Sequence, residues 1–141
     1  MARHMAIYRA DKQHGVAWIT GGGTGMGYQL ALDLAREGWT VAVTSLAEVP
    51  VEPATEIEIP GLPGKILQFQ CDVTDEAGMA ATVDTIERLA GPIVLAVFNA
   101  GIYIPVRGQS LGIADFRRTY EVNLFGVLNG LIPVVARMRE R

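Results

Sequence analysis

Five glycines in seven residues, from Gly21 to Gly27, constrain this chain more than any other feature. The short apolar run before them, residues 15–20, predicts a buried parallel strand. The residues after them, 28–37, repeat with a helical period and end at Gly38, a residue typical of a helix C-terminus. Glycines between a strand and a helix let the backbone approach a pyrophosphate, which the N–H groups and dipole of the helix attract. The segment therefore predicts a dinucleotide-binding turn, and this context disfavours the alternative of a merely flexible loop.

The rest of the chain alternates strands and helices. Apolar runs predict further strands at 40–45, 65–71 and 93–98. A helix is predicted up to Ala90, with Thr74 as its cap, and a long helix from about Ala114 to the end, with a bend near Pro133. Four prolines predict mostly irregular structure at 46–64. This order predicts an α/β fold, a doubly wound open parallel sheet of the Rossmann type with strand order 3-2-1-4, incomplete at one edge.

Composition narrows the class of protein. The 141 residues suffice for one domain, and residues 1–14 are a leader or residues left from expression. A net charge of −3 offers no electrostatic footprint for nucleic acid. The single cysteine, Cys71, forms no internal disulfide and favours a cytoplasmic setting, and neither histidine, His4 or His14, has a metal-binding arrangement.

The longest apolar stretch, residues 122–136, is interrupted by Asn123, Asn129 and Pro133. It is too short to span a bilayer comfortably. The interpretation is a buried helix of a soluble protein that does not bind a membrane.

The glycine spacing Thr20-Gly21-x-x-x-Gly25-x-Gly27 resembles that of the short-chain dehydrogenase/reductase family. Three further segments resemble the family's motifs in the same order along the chain: Asp72-Val73, Asn99-Ala100-Gly101, and Asn123 within Val-Asn-Leu-Phe-Gly. The resemblance extends from about Val16 to Arg141.

The resemblance implies a site for NAD or NADP. Its residues are Gly21, Gly23, Thr24, Gly25, Met26, Gly27, Ser45, Asp72, Val73, Asn99, Ala100 and Gly101. It implies that Asp72 contacts the adenine, and that Asn123 is a catalytic-site residue that shapes the long helix and holds a water of the proton relay. From the residues alone, Asp72 and Asn99 are also compatible with plain turns, and Asn123 with a buried, satisfied amide.

The choice between NAD and NADP stays open. In the family an acid after the second strand bonds the ribose 2′-OH, whereas an arginine there or in the glycine turn binds a 2′-phosphate. Here Ser45, at the end of the strand, holds the acid position and Leu46 follows it, and the glycine turn carries Thr24. Glu48 lies in the proline-rich segment, where its position is unpredictable.

The implied reaction is hydride transfer between nicotinamide and a small carbonyl or alcohol substrate. The family's serine, tyrosine and lysine follow the long helix, so we expect the chain to stop before them and to be inactive alone. Tyr8 and Lys12 match Tyr-x-x-x-Lys by coincidence, because they precede the first strand. Neither Ser110 nor the Tyr103–Arg107 pair replaces the missing residues.

Two alternatives remain: a non-catalytic dinucleotide-binding module, or one half of a split enzyme. An uncovered, wholly apolar fourth strand favours a longer protein or a covering chain. The full-length protein is expected to be a homo-oligomer.

Overall fold

The computed structural model describes residues 9–141, so Tyr8 and His4 lie outside the described residues. Along the chain it has β1 (Val16–Thr20), α1 (Gly25–Arg36), β2 (Thr40–Ser45), β3 (Thr55–Glu56), β4 (Lys65–Gln70), α2 (Glu76–Ala90) and β5 (Ile93–Phe98). A short 3₁₀ turn (Gly108–Ser110) precedes α3 (Ile113–Tyr120), a π-helical turn (Glu121–Phe125) and α4 (Gly126–Glu140). The alternation of strands and helices predicted from the sequence is confirmed.

The sheet has the order β3-β4-β2-β1-β5. The four strands expected from the sequence are parallel and lie in the expected order, with β5 at one edge. The structure also has a strand that the sequence did not predict, β3, whose residues Thr55 and Glu56 pair antiparallel with β4. Residues 46–64 are otherwise irregular, as their prolines predict. The predicted open parallel sheet is therefore confirmed, with a short antiparallel strand added at one edge.

Both faces of the sheet are covered near its centre. Along β1, Val16 and Trp18 face the layer formed with α2 and α4, whereas Ala17 and Ile19 face α1. All of β1 is buried, which explains why a continuous apolar run forms this strand. The C-terminus of α1 closes as predicted: Gly38 has φ +91°. Its N–H donates to Ala35 O at 3.0 Å.

The long helix differs from its prediction in two ways. First, it contains a π-helical turn at Glu121–Phe125 that the sequence did not predict, whereas Pro133, where a bend was predicted, lies inside α4. Residues 122–136 are also not a buried helix. Gly126, Gly130 and Val134 face the protein, but Leu124, Phe125 and Ile132 are 45%, 49% and 67% exposed.

This partial burial follows from what lies beside the helix. A Cβ on Gly130 would meet Phe98 Cε1 at 2.7 Å and Met79 Cε at 2.8 Å, so α4 sits close against β5 and α2 on one side only. By length and composition alone, residues 113–140 would be long and apolar enough to cross a membrane. One such helix is weak evidence for a membrane span.

The start of α2 is a further correction. Asp75, not Thr74, caps the helix, and its carboxylate accepts the Gly78 N–H at 3.0 Å. The Thr74 hydroxyl, one residue further from the helix, instead donates to Asp72 Oδ1 at 2.8 Å.

Candidate nucleotide-binding site

A cleft of about 530 Å³ opens where β1, β2, β4 and β5 end. Every residue predicted for the cofactor lines it except Gly25 and Gly27. Parallel strands bring their carboxyl ends to one edge, and ligands of open α/β sheets bind there. The fold therefore brings together segments that lie up to 80 residues apart in the sequence.

The glycine turn is packed against the ends of two other strands. Gly21 has φ +64°, and a Cβ there would meet Ala100 Cα at 2.8 Å. A Cβ on Gly23 would meet Ser45 Oγ at 2.9 Å. Side chains at these positions would fill the space between the turn and its neighbours, so glycine is required at Gly21 by both conformation and packing.

Gly25 and Gly27 serve the turn itself and do not line the cleft. A Cβ on Gly27 would meet Asn99 Nδ2 at 2.5 Å and Gly21 O at 2.6 Å, so the absence of a side chain lets α1 approach β5. Gly25 has open space around it, but its φ of +58° is a conformation that favours glycine.

Thr20, which the sequence analysis did not assign to the site, joins the turn to the end of β5. Its buried hydroxyl accepts the N–H groups of Asn99 and Ala100, each at 3.1 Å. Asn99 Nδ2 donates in return to Thr20 O at 3.2 Å and Gly21 O at 3.1 Å. Asn99 thus holds the glycine turn in place through its amide nitrogen.

Asp72 lies exposed at the cleft with one carboxylate oxygen already bonded. Its Oδ1 accepts the backbone N–H of Thr74 at 2.9 Å and the Thr74 hydroxyl at 2.8 Å. These two hydrogen bonds lower the pKa of Asp72 most, burial opposes them with a smaller effect, and the positive charge of Arg118 adds the smallest lowering. A charged carboxylate is therefore present at neutral pH, and its second oxygen is not used by these bonds.

The segment after Asp72 is held from the long helix. Asn129 Nδ2 donates to Val73 O at 2.9 Å. A Cβ on Gly126 would meet Val73 Cγ2 at 2.7 Å, so the glycine lets the helix and this turn touch. The sequence analysis assigned nothing to Asn129, and only its contact with Val73 gives it a role.

Asn123 lies in the π-helical turn and outside the cleft wall. Its Oδ1 accepts the Ile102 N–H and its Nδ2 donates to Ile102 O, both at 2.8 Å. The side chain is exposed, whereas the alternative interpretation expected a buried asparagine, and both its oxygen and its nitrogen bond Ile102. Asn123 therefore ties the loop after β5 to the helix at the turn where its hydrogen-bonding pattern changes.

The end of β2 carries no charge into the cleft. Ser45 Oγ accepts the Ala47 N–H at 3.3 Å, and Leu46 beside it is 66% exposed. Glu48 does not line the cleft. Of the cleft-lining residues only Asp72 and Arg118 are charged, and Arg118 was missed because it comes from the distant helix α3.

Cys71, also missed, forms part of the cleft wall beside Asp72. Burial, with a smaller contribution from the neighbouring carboxylates, raises the pKa of its thiol. Its Sγ lies 3.4 Å from Met79 Sδ, so the residue belongs to the packing between β4 and α2. A raised pKa leaves little thiolate near neutral pH, which does not suit a nucleophile.

Other candidates for proton transfer lie away from the cleft. Lys12 bonds Glu37 O at the end of α1, next to the amino end of β2, on the far side of the sheet from the cleft. Tyr103 is 87% exposed, and neither it, Arg107 nor Ser110 lines the cleft.

Comparison with known proteins agrees with this geometry. Residues 15–141 match the family described as short chain dehydrogenase. The NADP-dependent (R)-specific alcohol dehydrogenase of Lentilactobacillus kefiri is 34% identical over 127 residues, which are 89% of this chain and 49% of that protein. The 7alpha-hydroxysteroid dehydrogenase of Escherichia coli K12 is also 34% identical, over 89% of this chain and 48% of its own length.

A solved short-chain type dehydrogenase/reductase from Mycobacterium marinum superimposes with a TM-score of 0.78 and 31% identity, over 89% of this chain and 51% of that one. The chain spans about half the length of these relatives. The match over nearly the whole chain, together with the glycine turn and the strand ends that meet it, shows that this chain belongs to the short-chain dehydrogenase family.

Proposed function

We propose that this chain is the cofactor-binding part of an NAD(P)-dependent oxidoreductase that transfers hydride between nicotinamide and a small carbonyl or alcohol substrate. The observation that carries the proposal is the cleft itself. The glycine turn, Asp72-Val73 and Asn99-Ala100-Gly101 line one cavity at the carboxyl edge of a parallel sheet. Its volume of about 530 Å³ lies within the range of small-molecule sites.

The residues present fit a dinucleotide. The first turn of α1 carries no acid, and its cap Thr24 makes no side-chain hydrogen bond. The N–H groups at this end of the helix are therefore free to bind an anion, and the helix dipole favours one. Gly23 and Met26 border the same space, where the pyrophosphate would lie.

Asp72 and the end of β5 would hold the two nucleoside parts. The unused oxygen of the Asp72 carboxylate would accept an N–H of the adenine amino group. The backbone at Asn99–Gly101 presents small side chains against which a ribose would lie. Asn123 would contribute by fixing Ile102 and the loop that borders the nicotinamide end.

NAD and NADP both remain compatible with the cleft. Ser45 leaves room for a 2′-phosphate but supplies no charge to bind it, and no acid is present there to repel it. The cofactor supplies the hydride when bound. The proton that accompanies it must come from a titratable group, and an amide such as Asn123 does not titrate.

We further propose that the catalytic serine, tyrosine and lysine lie outside these 141 residues, so the chain alone binds cofactor without turnover. Strand β5 lies at the edge of the sheet with one strand neighbour, and one side of α4 exposes apolar side chains. Both features support a longer protein that is active as a homo-oligomer. The location that we propose for it is the cytoplasm. A non-catalytic dinucleotide-binding module and one half of a split enzyme are the alternatives, and no observation favours either.

Calorimetric titration of the purified chain with NAD, NADP and ADP-ribose tests the proposal. We expect saturable binding that Gly23→Val weakens about 10-fold or more, because a side chain there crowds the turn at which the pyrophosphate would bind. Gly108→Val is the matched control, since a Cβ on Gly108 meets nothing within 4 Å. Gly27→Val is also expected to abolish binding, but it clashes inside the protein and is less informative.

Equal affinity of wild type and Gly23→Val, or no binding of any of the three nucleotides by the folded wild type, would refute the proposal. The catalytic part is tested by following nicotinamide absorbance with simple alcohols and ketones. We expect no turnover by the 141-residue chain and turnover by a chain extended through the next strand–helix units.

A further inference from the structure

The cleft wall has one positively charged side chain. Arg118 lies on α3 and lines the cleft. Among the described residues it forms no side-chain hydrogen bond and no ion pair, although Asp115 and Glu121 lie one helical turn to either side. Long cationic side chains on helices often pair with acids at such spacings, so this free guanidinium is available to a ligand.

Apolar side chains and one carboxylate line the cleft together with Arg118. Val122, one turn further along the helix, is 6% exposed and lines the cleft together with Val73 and Ile102. Asp72 lies close enough for the charge of Arg118 to contribute to its lowered pKa. An apolar wall, a carboxylate and a free guanidinium therefore border the same part of the cleft.

We propose that Arg118 is a nucleotide-binding residue whose guanidinium lies on the face of the adenine ring, while Asp72 bonds the ring's edge. A guanidinium is planar, delocalised and weakly hydrated, so it stacks on aromatic faces, which a lysine ammonium does not do. Arg118 also offsets the negative charge that Asp72 places beside a neutral base. The inference rests on the proposed function, because it names a further contact within the same site.

Binding of ADP-ribose and of adenosine to the full chain and three variants tests this role. We expect Arg118→Ala to weaken ADP-ribose binding about 3- to 30-fold, and adenosine binding by a similar factor, because the lost contact is to the base. Arg118→Lys keeps the positive charge but not the planar guanidinium. We therefore expect it to bind nearly as weakly as Arg118→Ala. Arg117→Ala is the matched control, since Arg117 is the adjacent exposed arginine and does not line the cleft.

The measured affinities distinguish three roles for Arg118: stacking on adenine, contact with a phosphate, and no role in binding. Full affinity in Arg118→Lys, with adenosine binding unchanged in Arg118→Ala, would assign Arg118 to a phosphate and overturn stacking on adenine. Equal affinity of Arg118→Ala and Arg117→Ala would overturn any role in binding. Failure of the folded wild type to bind ADP-ribose would overturn the proposed function itself, and this inference with it. Arg118 is exposed, and thermal unfolding of each variant is expected to match wild type.

Discussion

Helices α1 and α2 both begin just after a parallel strand, yet their first turns are built differently. The cap of α2, Asp75, bonds the Gly78 N–H, and Glu76 follows in the first turn. The cap of α1, Thr24, makes no side-chain bond, and no acid follows it. The protein therefore satisfies the start of α2 from its own side chains, whereas the start of α1 has no side-chain cap and is, in our proposal, the end that meets a ligand.

This difference separates a structural helix N-terminus from one prepared for an anion. Free N–H groups at a helix start carry a partial positive charge, which either a side chain or a bound phosphate satisfies. The turn before α1 consists largely of glycine, so its backbone is accessible, whereas the turn before α2 is closed by Asp72 and Thr74. Exchanging these features between the two helices tests whether the cap and the charge of the first turn determine nucleotide affinity.

The largest effect is expected from giving α1 an acid of its own. Met26 is 84% exposed and lines the cleft, so Met26→Asp removes little packing. We expect nucleotide affinity to fall about 10-fold or more, because a carboxylate would repel the pyrophosphate. Unfolding stability should be unchanged or rise by about 0.3–1 kcal/mol, since the acid complements the helix dipole.

The neutral control is Met26→Asn, because asparagine has nearly the shape of aspartate without its charge. We expect this variant to bind within about twofold of wild type. Calorimetry and thermal unfolding measure the two effects separately. Loss of affinity in both variants would point to side-chain size, and unchanged affinity in both would show that α1 does not meet the phosphates.

A smaller effect is expected from removing the cap of α2. Asp75→Ala leaves the Gly78 N–H without its partner and should lower the free energy of unfolding by about 1 kcal/mol. Asp75→Asn is expected to restore most of this, because asparagine caps equally well. Asp75 does not line the cleft, so nucleotide affinity should stay at the wild-type value in both variants. Denaturant unfolding checks the first expectation, and a fall in affinity would contradict the second.

The smallest effect concerns the pH dependence that Asp72 contributes. Its pKa in the folded protein is lowered below the ordinary 3.8, so its stabilising contribution is present above that value and is lost as the pH falls through the folded pKa. Because the side chain is exposed, solvent screening limits the contribution to about 0.5 kcal/mol or less.

Unfolding of wild type and Asp72→Asn at pH 7 and near pH 2 measures this contribution. We expect wild type to be slightly more stable at pH 7 and the difference to vanish in acid. If the difference in stability instead grew in acid, the ionised Asp72 carboxylate would not be the stabilising form.

Local sequence patterns were sufficient for most of the fold. An apolar run that ends in glycines has few structures open to it, so β1, the turn and α1 were predictable to within a few residues. Residues 46–64 were correctly predicted as mostly irregular because proline excludes a helix, although the two residues of β3 were not foreseen. Their strand depends on β4 for its hydrogen bonds, and no local pattern shows that pairing.

Two other features were not predictable from local patterns: which of two adjacent residues caps a helix, and which element covers an apolar helix face. Thr74 and Asp75 both suit a helix cap, and the sequence does not show which one accepts the Gly78 N–H. In the structure Asp75 accepts it, while the Thr74 hydroxyl donates to Asp72. The exposure of the long helix was also misjudged, because an apolar sequence predicts a buried face without saying which other element covers it.

The sequence by itself determined the order of strands and helices, the glycine turn, and most of the residues that line the cleft. It did so because strand ends and glycine turns are local features, and parallel strands place their ends together. Only the tertiary structure decided the contact of Thr20 with Asn99, the contact of Asn129 with Val73, and the position of Arg118 at the same cleft as Asp72. The two partners in each case lie tens of residues apart, on segments that meet only when the strands pair or when α3 and α4 pack beside the sheet. Such packing is a property of the whole fold and not of any one segment.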